Sequence, residues 1–289
     1  MGSETVAEFT GGLLADDFDR MEPVEGKIQL ETDRLIVVTG QETYRIPLDT
    51  VINTTVGSVT EAIEQAFEDS IALAYKREGS QKRAIIGGTT EAIATFRTRL
   101  FKTIIGTQPA LVKHPAKRGG RLTDTSMSKM RLKVGDDAVK LSDGESVTTI
   151  DVGEVIGVDH EHREFGDSRR PTLAVDHTSE GPTMTTFLTL PEKRELTLLS
   201  QFIQLNYTQV ADDVSELDLS TMETQVLVAL YSAGGNAPLE MILTGDDSQQ
   251  AELLETLENN RLVMRDGEEL QLTSRGEVAV TEQIESVNQ

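Results

Sequence analysis

The sequence predicts an α+β chain: two tandem β-rich domains, each closed by a helix, followed by a helix-rich tail. Three observations carry that reading. First, one plan is written twice. Lys27–Leu30, Leu35–Gly40 and Ile46–Val51 recur as Lys129–Leu132, Ala138–Gly144 and Ile150–Val155. The offset is 102 residues at Lys27/Lys129 and Leu30/Leu132, then 104 at Val37/Leu141, Gly40/Gly144, Ile46/Ile150 and Val51/Val155. It returns to 102 at Glu78-Gly79/Glu180-Gly181. An insertion that is later recovered is what loops do between matched strands of a duplicated domain. Second, each repeat runs from short alternating or apolar stretches into one longer stretch of helical period. Third, the period turns helical again beyond Ser215. The predicted divisions are an acidic leader at 1–26, β domains at 27–108 and 129–208 with a basic linker at 109–128 between them, and an acidic tail domain at 209–289.

A chain of 289 residues with 37% apolar content can bury two or three cores. Its 27 Lys+Arg stand against 49 Asp+Glu, a net charge of −22. Such self-repulsion is tolerable where salt screens charges over a few ångströms, which points to a high-salt cytoplasm and a haloarchaeal source. Without cysteine there is no disulfide framework and no thiolate or zinc–thiolate chemistry. No apolar run approaches the roughly 18–20 residues that span a bilayer. The start, Met1–Val6, has neither the regions of a secretory signal nor the Ser or Thr that myristoylation requires at position 6. A soluble, cytoplasmic protein without membrane insertion is expected.

Taken in order, the leader holds a short apolar patch, Phe9 and Leu13-Leu14, either a docking arm or, more simply, a segment packed beside the first sheet. From Lys27 to Gly57, short apolar or alternating runs broken at Thr32-Asp33, Gly40 and Pro47 predict strands. Val59–Asp69 predicts a short inserted helix, and Ile71–Arg77 with Lys82–Ile86 a hairpin turning at Glu78–Gln81. Gly87–Thr90 closes the hairpin and offers a threonine N-cap. The following helix, 92–105, is expected to bury Ala92, Phe96, Leu100 and Ile104, to leave Arg97, Arg99 and Lys102 solvated, and to stop at Gly106. Pro109–Ser128, punctuated by Pro and Gly, reads as an exposed linker. The second repeat closes with a hairpin, Thr172–His177 and Thr183–Leu190, and a helix from Pro191 to near Tyr207 that buries Leu196, Leu199, Phe202 and Ile203. Seven or so strands capped by one helix is the plan of a pleckstrin-homology-like barrel.

In the tail, Ser220 caps a helix carrying Met222, Val226, Leu227 and Leu230 that ends at Gly234-Gly235. Pro238–Leu243 and Asp247–Asn259 predict two more helices, Arg261–Met264 and Leu270–Thr273 a hairpin, and Glu277–Ile284 a last helix. Helix, helix, helix and wing is a winged-helix order. Charge argues against DNA: from Asp212 to Gln289 only Arg261, Arg265 and Arg275 stand against 17 acids, a net −14. Phosphates need cations, and this surface would repel them. A protein-docking module is expected and no nucleic-acid partner. The alternative is a winged-helix transcription regulator with ligand-sensing pleckstrin-like domains.

The opposite charge gathers in the middle. Residues 76–133 hold 14 bases against Glu78, Glu91 and Asp124, a net of +11. Lys113, Lys117, Arg118 and Arg121 thus form either a segment paired with the chain's own acids or a docking face for an acidic partner or twin subunit. Lys76, Arg77, Lys82 and Arg83 on the first hairpin are where a basic mouth for lipid would lie, though the matching second hairpin (Asp176, His177, Glu180) is acidic. His160, His162 and His177 lie near Asp159 and Asp176; a zinc site could be drawn there, but no spacing motif supports it and solvated histidines are the commoner outcome. Phosphate-loop, dinucleotide and nucleophile-elbow signatures are absent, so neither catalysis nor a cofactor is expected.

The order of acidic leader, duplicated domain and acidic tail resembles the archaeal taxis protein CheF family. The resemblance rests on Leu35–Gly40 with Ile46–Ile52, its echo Thr149–Gly157, and the tail from Leu219. It implies a non-catalytic, dimeric adaptor that couples the phosphorylated response regulator CheY to the cytoplasmic switch complex of the archaellum. CheY would then dock on the tail, with Glu255, Leu262 and Met264 as candidate contacts, while Lys113, Lys117, Arg118 and Arg121 face the motor or the dimer mate. For Leu262 and Met264, ordinary packing within the wing is the competing role.

Overall fold

The computed structural model describes residues 4–17, 22–40, 42–56, 65–165, 168–178, 183–215, 217–243 and 247–287. The chain is mixed α+β with mostly antiparallel sheets, and divides into two compact units. One takes residues 1–108, 132–136 and 190–202, the other 109–131, 137–189 and 203–289.

The first sheet runs β1 (Thr5–Ala15), β2 (Val24–Glu31), β3 (Arg34–Val38), β4 (Thr43–Pro47), β5 (Val51–Val56), β6 (Asp69–Arg77) and β7 (Ser80–Gly88), followed by helix α1 (Thr90–Ile105). Its spatial order is β4-β3-β2-β1-β7-β6-β5. The second sheet uses β8 (Thr107–Arg118), the short β9 (Arg121–Leu122), β10 (Ser128–Val134), β11 (Ala138–Ser142), β12 (Val147–Asp151), β13 (Val155–Phe165), β14 (Ser168–His177) and β15 (Met184–Thr189), and helix α2 (Lys193–Ser215) follows. Its order is β12-β11-β10-β8-β15-β14-β13, with β9 paired to β8. Strand for strand this is the first topology again, so the duplication seen at 27–51 and 129–155 extends over whole sheets.

Two segments expected outside the sheets are at their centres. The leader supplies β1, which pairs with β2 and with β7, and the linker supplies β8, which stands between β10 and β15. The misreadings have one cause: Gly and Pro mark turns in sequence but serve here to fit crowded strands. A methyl group built on Gly12 or on Gly87 would overlap the Phe67 ring, which lies against the sheet at this point. On β8, Phe187 pairs with Lys113 and Thr185 with Lys117, so the residues around Pro115 sit in a bulge of the ladder. A proline costs no ladder bond there.

The alternation of β2 is realised as read: Ile28 and Leu30 are buried while Glu25 and Lys27 are exposed. The β6–β7 hairpin closes through Glu78 and Gly79, both at positive φ (52° and 78°), as the two-residue turn requires. Thr89 caps α1 by accepting from the Ala92 N–H. The buried face of α1 is Ile93, Phe96, Arg97, Leu100, Phe101 and Ile105, whereas Ala92 and Ile104 are only half buried. At ~100° per residue a strict four-residue spacing drifts by ~40° each step, so 92 and 104 cannot share a face. Arg97, expected in solvent, is 7% exposed. Burial lowers its pKa, opposed by the Asp69 carboxylate. Phe96 packs against Phe9 of β1 at 5.5 Å between centroids.

Leu196, Leu199, Phe202 and Ile203 of α2 are buried as expected, and the helix continues to Ser215 rather than Tyr207. Its opening turns belong to the first unit. The Arg194 guanidinium donates to the carbonyls of Val51 (2.5 Å) and Leu48 (2.6 Å), and the Gln201 side chain accepts from the Thr54 N–H (3.0 Å). The inserted helix expected at Val59–Asp69 lies largely outside the described residues, as does the turn at 179–182.

The tail holds α3 (Thr221–Ser232), β16 (Asn236–Pro238), α4 (Leu239–Ile242), α5 (Asp247–Asn259), β17 (Val263–Asp266), β18 (Glu269–Leu272) and α6 (Ser274–Val287). The helices and hairpin fall where periodicity placed them. Strand β16, which completes a sheet of order β16-β18-β17, was not foreseen.

The glycine packing yields a test. Gly12→Ala should cost about 1–3 kcal/mol of unfolding free energy in KCl, and Phe67→Ala in the same chain should relieve part of that loss. A double-mutant cycle by denaturant unfolding reads the coupling.

Candidate functional site

The tail surface is built on one apolar cluster that includes Val226, Leu227, Leu230, Leu254, Leu257 and Leu262. A reciprocal cap starts α3: the Ser220 hydroxyl accepts from the Glu223 N–H, and the Glu223 carboxylate accepts from the Ser220 N–H (3.3 and 2.6 Å). Leu262 is wholly buried, which removes it as a docking contact. Its N–H donates to the Leu257 carbonyl, its own carbonyl accepts from Thr273, and a side chain at Gly276 would strike that carbonyl. Leu262 is a joint of the tail core. Met264 on β17, next to buried Val263, is 47% exposed, and Glu255 on α5 is exposed too. Met222, Val228, Tyr231 and Met241 are further exposed apolar side chains on the tail.

Beside Met264 lies a cavity of about 320 Å³ lined by Glu154, Thr178, Asn236, Gln271 and Glu277 among others. The Ser274 hydroxyl donates to the Gly153 carbonyl at 3.3 Å, tying the start of α6 to the 3-10 turn at Val152–Glu154, the counterpart of a 3-10 turn at Leu48–Thr50 in the first repeat. Burial raises the pKa of Glu277, opposed by a hydrogen bond from Thr183 at 3.4 Å.

The basic segment separates into two pairs. Lys113 donates to the Thr123 carbonyl at 3.0 Å, and the Lys117 ammonium lies 5.8 Å from the Phe187 ring centroid, with the Arg163 guanidinium 3.5 Å from the same centroid. Those two lysines are engaged within the second sheet. Arg118 and Arg121 face each other across the β8–β9 turn, with Gly119 and Gly120 at φ 53° and 76°, and both are exposed. Next to them Leu122 is 70% exposed.

The three histidines do not meet. His160 and His162 are exposed on β13, whereas His177 on β14 is 1% exposed. Instead His177 stacks on His114 (5.7 Å, 14°), and the Thr186 hydroxyl bridges the two rings at 2.9 and 2.8 Å. Among the described residues no three His, Asp or Glu side chains gather as a metal-binding group. Burial, then the charge of His114, lowers the pKa of His177 to about 4, and burial with Arg118 lowers that of His114.

One cluster had no signal in the sequence. Asp17, just past β1, accepts from the hydroxyls of Tyr44 and Tyr75 and from Arg77 (2.9 Å), with Lys82 at 3.4 Å. Burial opposes its ionisation, but those hydrogen bonds and the Arg77 charge prevail and hold its pKa at about 2. The four partners are scattered between residues 44 and 82 and meet only through strand pairing.

A family model described as archaeal chemotaxis signal transduction system protein F matches residues 5–209, both sheets and most of α2. Taxis protein CheF2 of Halobacterium salinarum is 32% identical over 288 residues, spanning 100% of each chain. Taxis protein CheF1 of the same organism is 24% identical over 268 residues, 87% of each. A solved structure of Vav1 inhibited by an allosteric inhibitor aligns with 41% of this chain and 30% of its own at a TM-score of 0.29 and 12% identity, too slight a likeness to carry the fold.

Two outcomes are expected. Leu262→Ala should lower stability by about 2–5 kcal/mol, while Met264→Ala should stay within about 0.5 kcal/mol, both by denaturant unfolding. His177 resists protonation in the native state, so its contribution is full above the unfolded pKa of about 6.5 and is lost as pH falls towards about 4. The loss, at most about 3 kcal/mol, should be absent in His177→Gln when the two are compared across that range.

Proposed function

Because the chain belongs to the family of archaeal chemotaxis signal transduction system protein F, we propose that it is a non-enzymatic adaptor linking phosphorylated CheY to the archaellum switch complex. Rotation reversal is then its output, and the cytoplasmic face of the motor its place of work. In this reading each sheet with its helix is a pleckstrin-homology-like barrel, and the tail is a winged helix whose wing is β17–β18.

The observation that carries the proposal is where the exposed apolar side chains lie. Met222, Val228, Tyr231, Met241 and Met264 of the tail are five of the eight large hydrophobics exposed among the described residues. Apolar anchors inside a charged rim are what a protein partner uses, and methionine adapts its shape to more than one. The same tail carries −14, which suits protein over DNA. CheY docks there through Met264, Met241 and the exposed face of α5 with Glu255. Arg118 and Arg121, at the tip of the β8–β9 turn, meet an acidic surface of the motor or of a second copy of the chain.

Titration of the full chain with the host's CheY in molar KCl, with and without beryllofluoride, checks this. Micromolar or tighter binding is expected only for activated CheY, weakened at least tenfold by Met241→Glu with Met264→Glu. Absence of binding in both states would remove the adaptor reading, and salt-dependent retardation of DNA would favour the transcription regulator. Arg118→Glu with Arg121→Glu should weaken motor binding or dimerisation and leave CheY binding intact, read by co-sedimentation and by light scattering.

A further inference from the structure

The duplication allows one site to be compared with its own copy. Leu48 N–H donates to the Asp33 carbonyl (2.9 Å), and 104 residues on Val152 N–H donates to the Asp137 carbonyl (2.8 Å). Val51 pairs with Tyr75 as Val155 pairs with His177. These bonds fix an equivalent mouth at one end of each sheet, formed by the start of β3 or β11, the 3-10 turn and the end of β6 or β14. Asp33, Arg45, Pro47, Thr50, Tyr75 and Lys76 of the first stand where Asp137, Thr149, Asp151, Glu154, His177 and Thr178 stand in the second.

The two mouths have diverged in occupancy and in charge. The second is covered by the tail: Glu154 and Thr178 line the cavity shared with Asn236, Gln271 and Glu277, and Ser274 is bonded to Gly153. It contributes carboxylates and no base. The first is open, a cavity of about 540 Å³ lined by Arg34, Arg45, Lys76 and Arg77 against Asp33 and Glu78, with Tyr75 and Pro47 in its wall. That volume falls within the range of small-ligand sites, roughly 300–1,000 Å³.

Two of the four cations are already oriented. Asp33 holds the Arg34 guanidinium at two points (2.9 and 2.6 Å), and Asp17 holds Arg77 at 2.9 Å. Arg45 and Lys76, both exposed, form no ion pair among the described residues, in a chain where 49 acids compete for 27 bases. The lining therefore carries a surplus of two positive charges. Guanidinium forks fixed by their own carboxylates have little left to lose in orientation, and planar forks match phosphate oxygens two at a time. A phosphate monoester carries about −1.5 to −2 at neutral pH, which matches that surplus on one compact group.

We propose that the open mouth of the first sheet binds a phosphate-bearing anion between Arg34, Arg45, Lys76 and Arg77. The anion is either a soluble phosphate compound or the headgroup of a phospholipid. The site is independent of the CheY contact on the tail.

Calorimetric titration of the full chain with inorganic pyrophosphate in molar KCl tests the soluble source, and co-sedimentation with vesicles containing phosphatidic acid tests the headgroup. Saturable binding in either arm is expected. Arg45→Glu with Lys76→Glu should weaken it at least tenfold and Lys76→Gln, which removes the charge but keeps a hydrogen-bond donor, by a smaller factor. Arg99→Glu, an exposed change on α1, should leave it unaltered, and circular dichroism should be the same for all four chains. Pyrophosphate binding identifies a soluble ligand, and vesicle binding without it a lipid. No binding in either arm up to millimolar phosphate, or binding indifferent to Arg45 and Lys76, overturns the proposal.

Discussion

Each β sheet depends on one ladder. Strand β1 bonds to β2 along one edge and to β7 along the other, and β8 holds the same place between β10 and β15. Without that strand each sheet would separate into β2–β4 and β5–β7, or into their second-repeat counterparts, with unpaired edges left between them. The open edges exposed between the pieces would be templates for wrong pairings. The crowding that makes room for the ladder explains its residues. Gly12 and Gly87 lie under Phe67, and the bulge around Pro115 absorbs the residue that cannot donate.

On this shared scaffold the two repeats use equivalent positions differently. Tyr75 of the first joins the hydrogen-bonded cluster around Asp17, whereas His177, its counterpart, stacks on His114 and shares Thr186 with it. Both are aromatic, both are buried at one end of the sheet, and both place a polar atom where a partner from another strand meets it. The backbone ladder preserves the position, and the charge around it sets the role. Carboxylates and the tail close the second mouth, and cations line the open first.

The tail extends that division. Its core is apolar and tightly joined, with Leu262 at a point where α5, β17 and α6 converge and Gly276 leaving space for the backbone of its neighbour. Its outer surface carries acids and isolated apolar side chains.

Much of this was legible in the residues themselves. Alternation over Lys27–Leu30, the cap at Ser220 and the apolar spacing of Leu196 to Ile203 are local patterns, and the elements they predict are where they were expected. The repeat was legible because strand positions conserve side-chain type while loops change length. The charge of the tail was legible because charge is a sum over residues. Other features were decided by tertiary structure. The leader and linker became central strands because pairing partners, absent from any local window, outweigh glycine and proline. Arg97 turned inward because helix rotation, not residue type, chose its face. Leu262 proved to be core where Met264 was not, because Leu262 lies ahead of β17, tied between Leu257 and Thr273, while Met264 takes the side of β17 opposite to buried Val263. The Asp17 cluster, the stacked histidines and the open mouth gather residues far apart in the chain, and only folding brings them together.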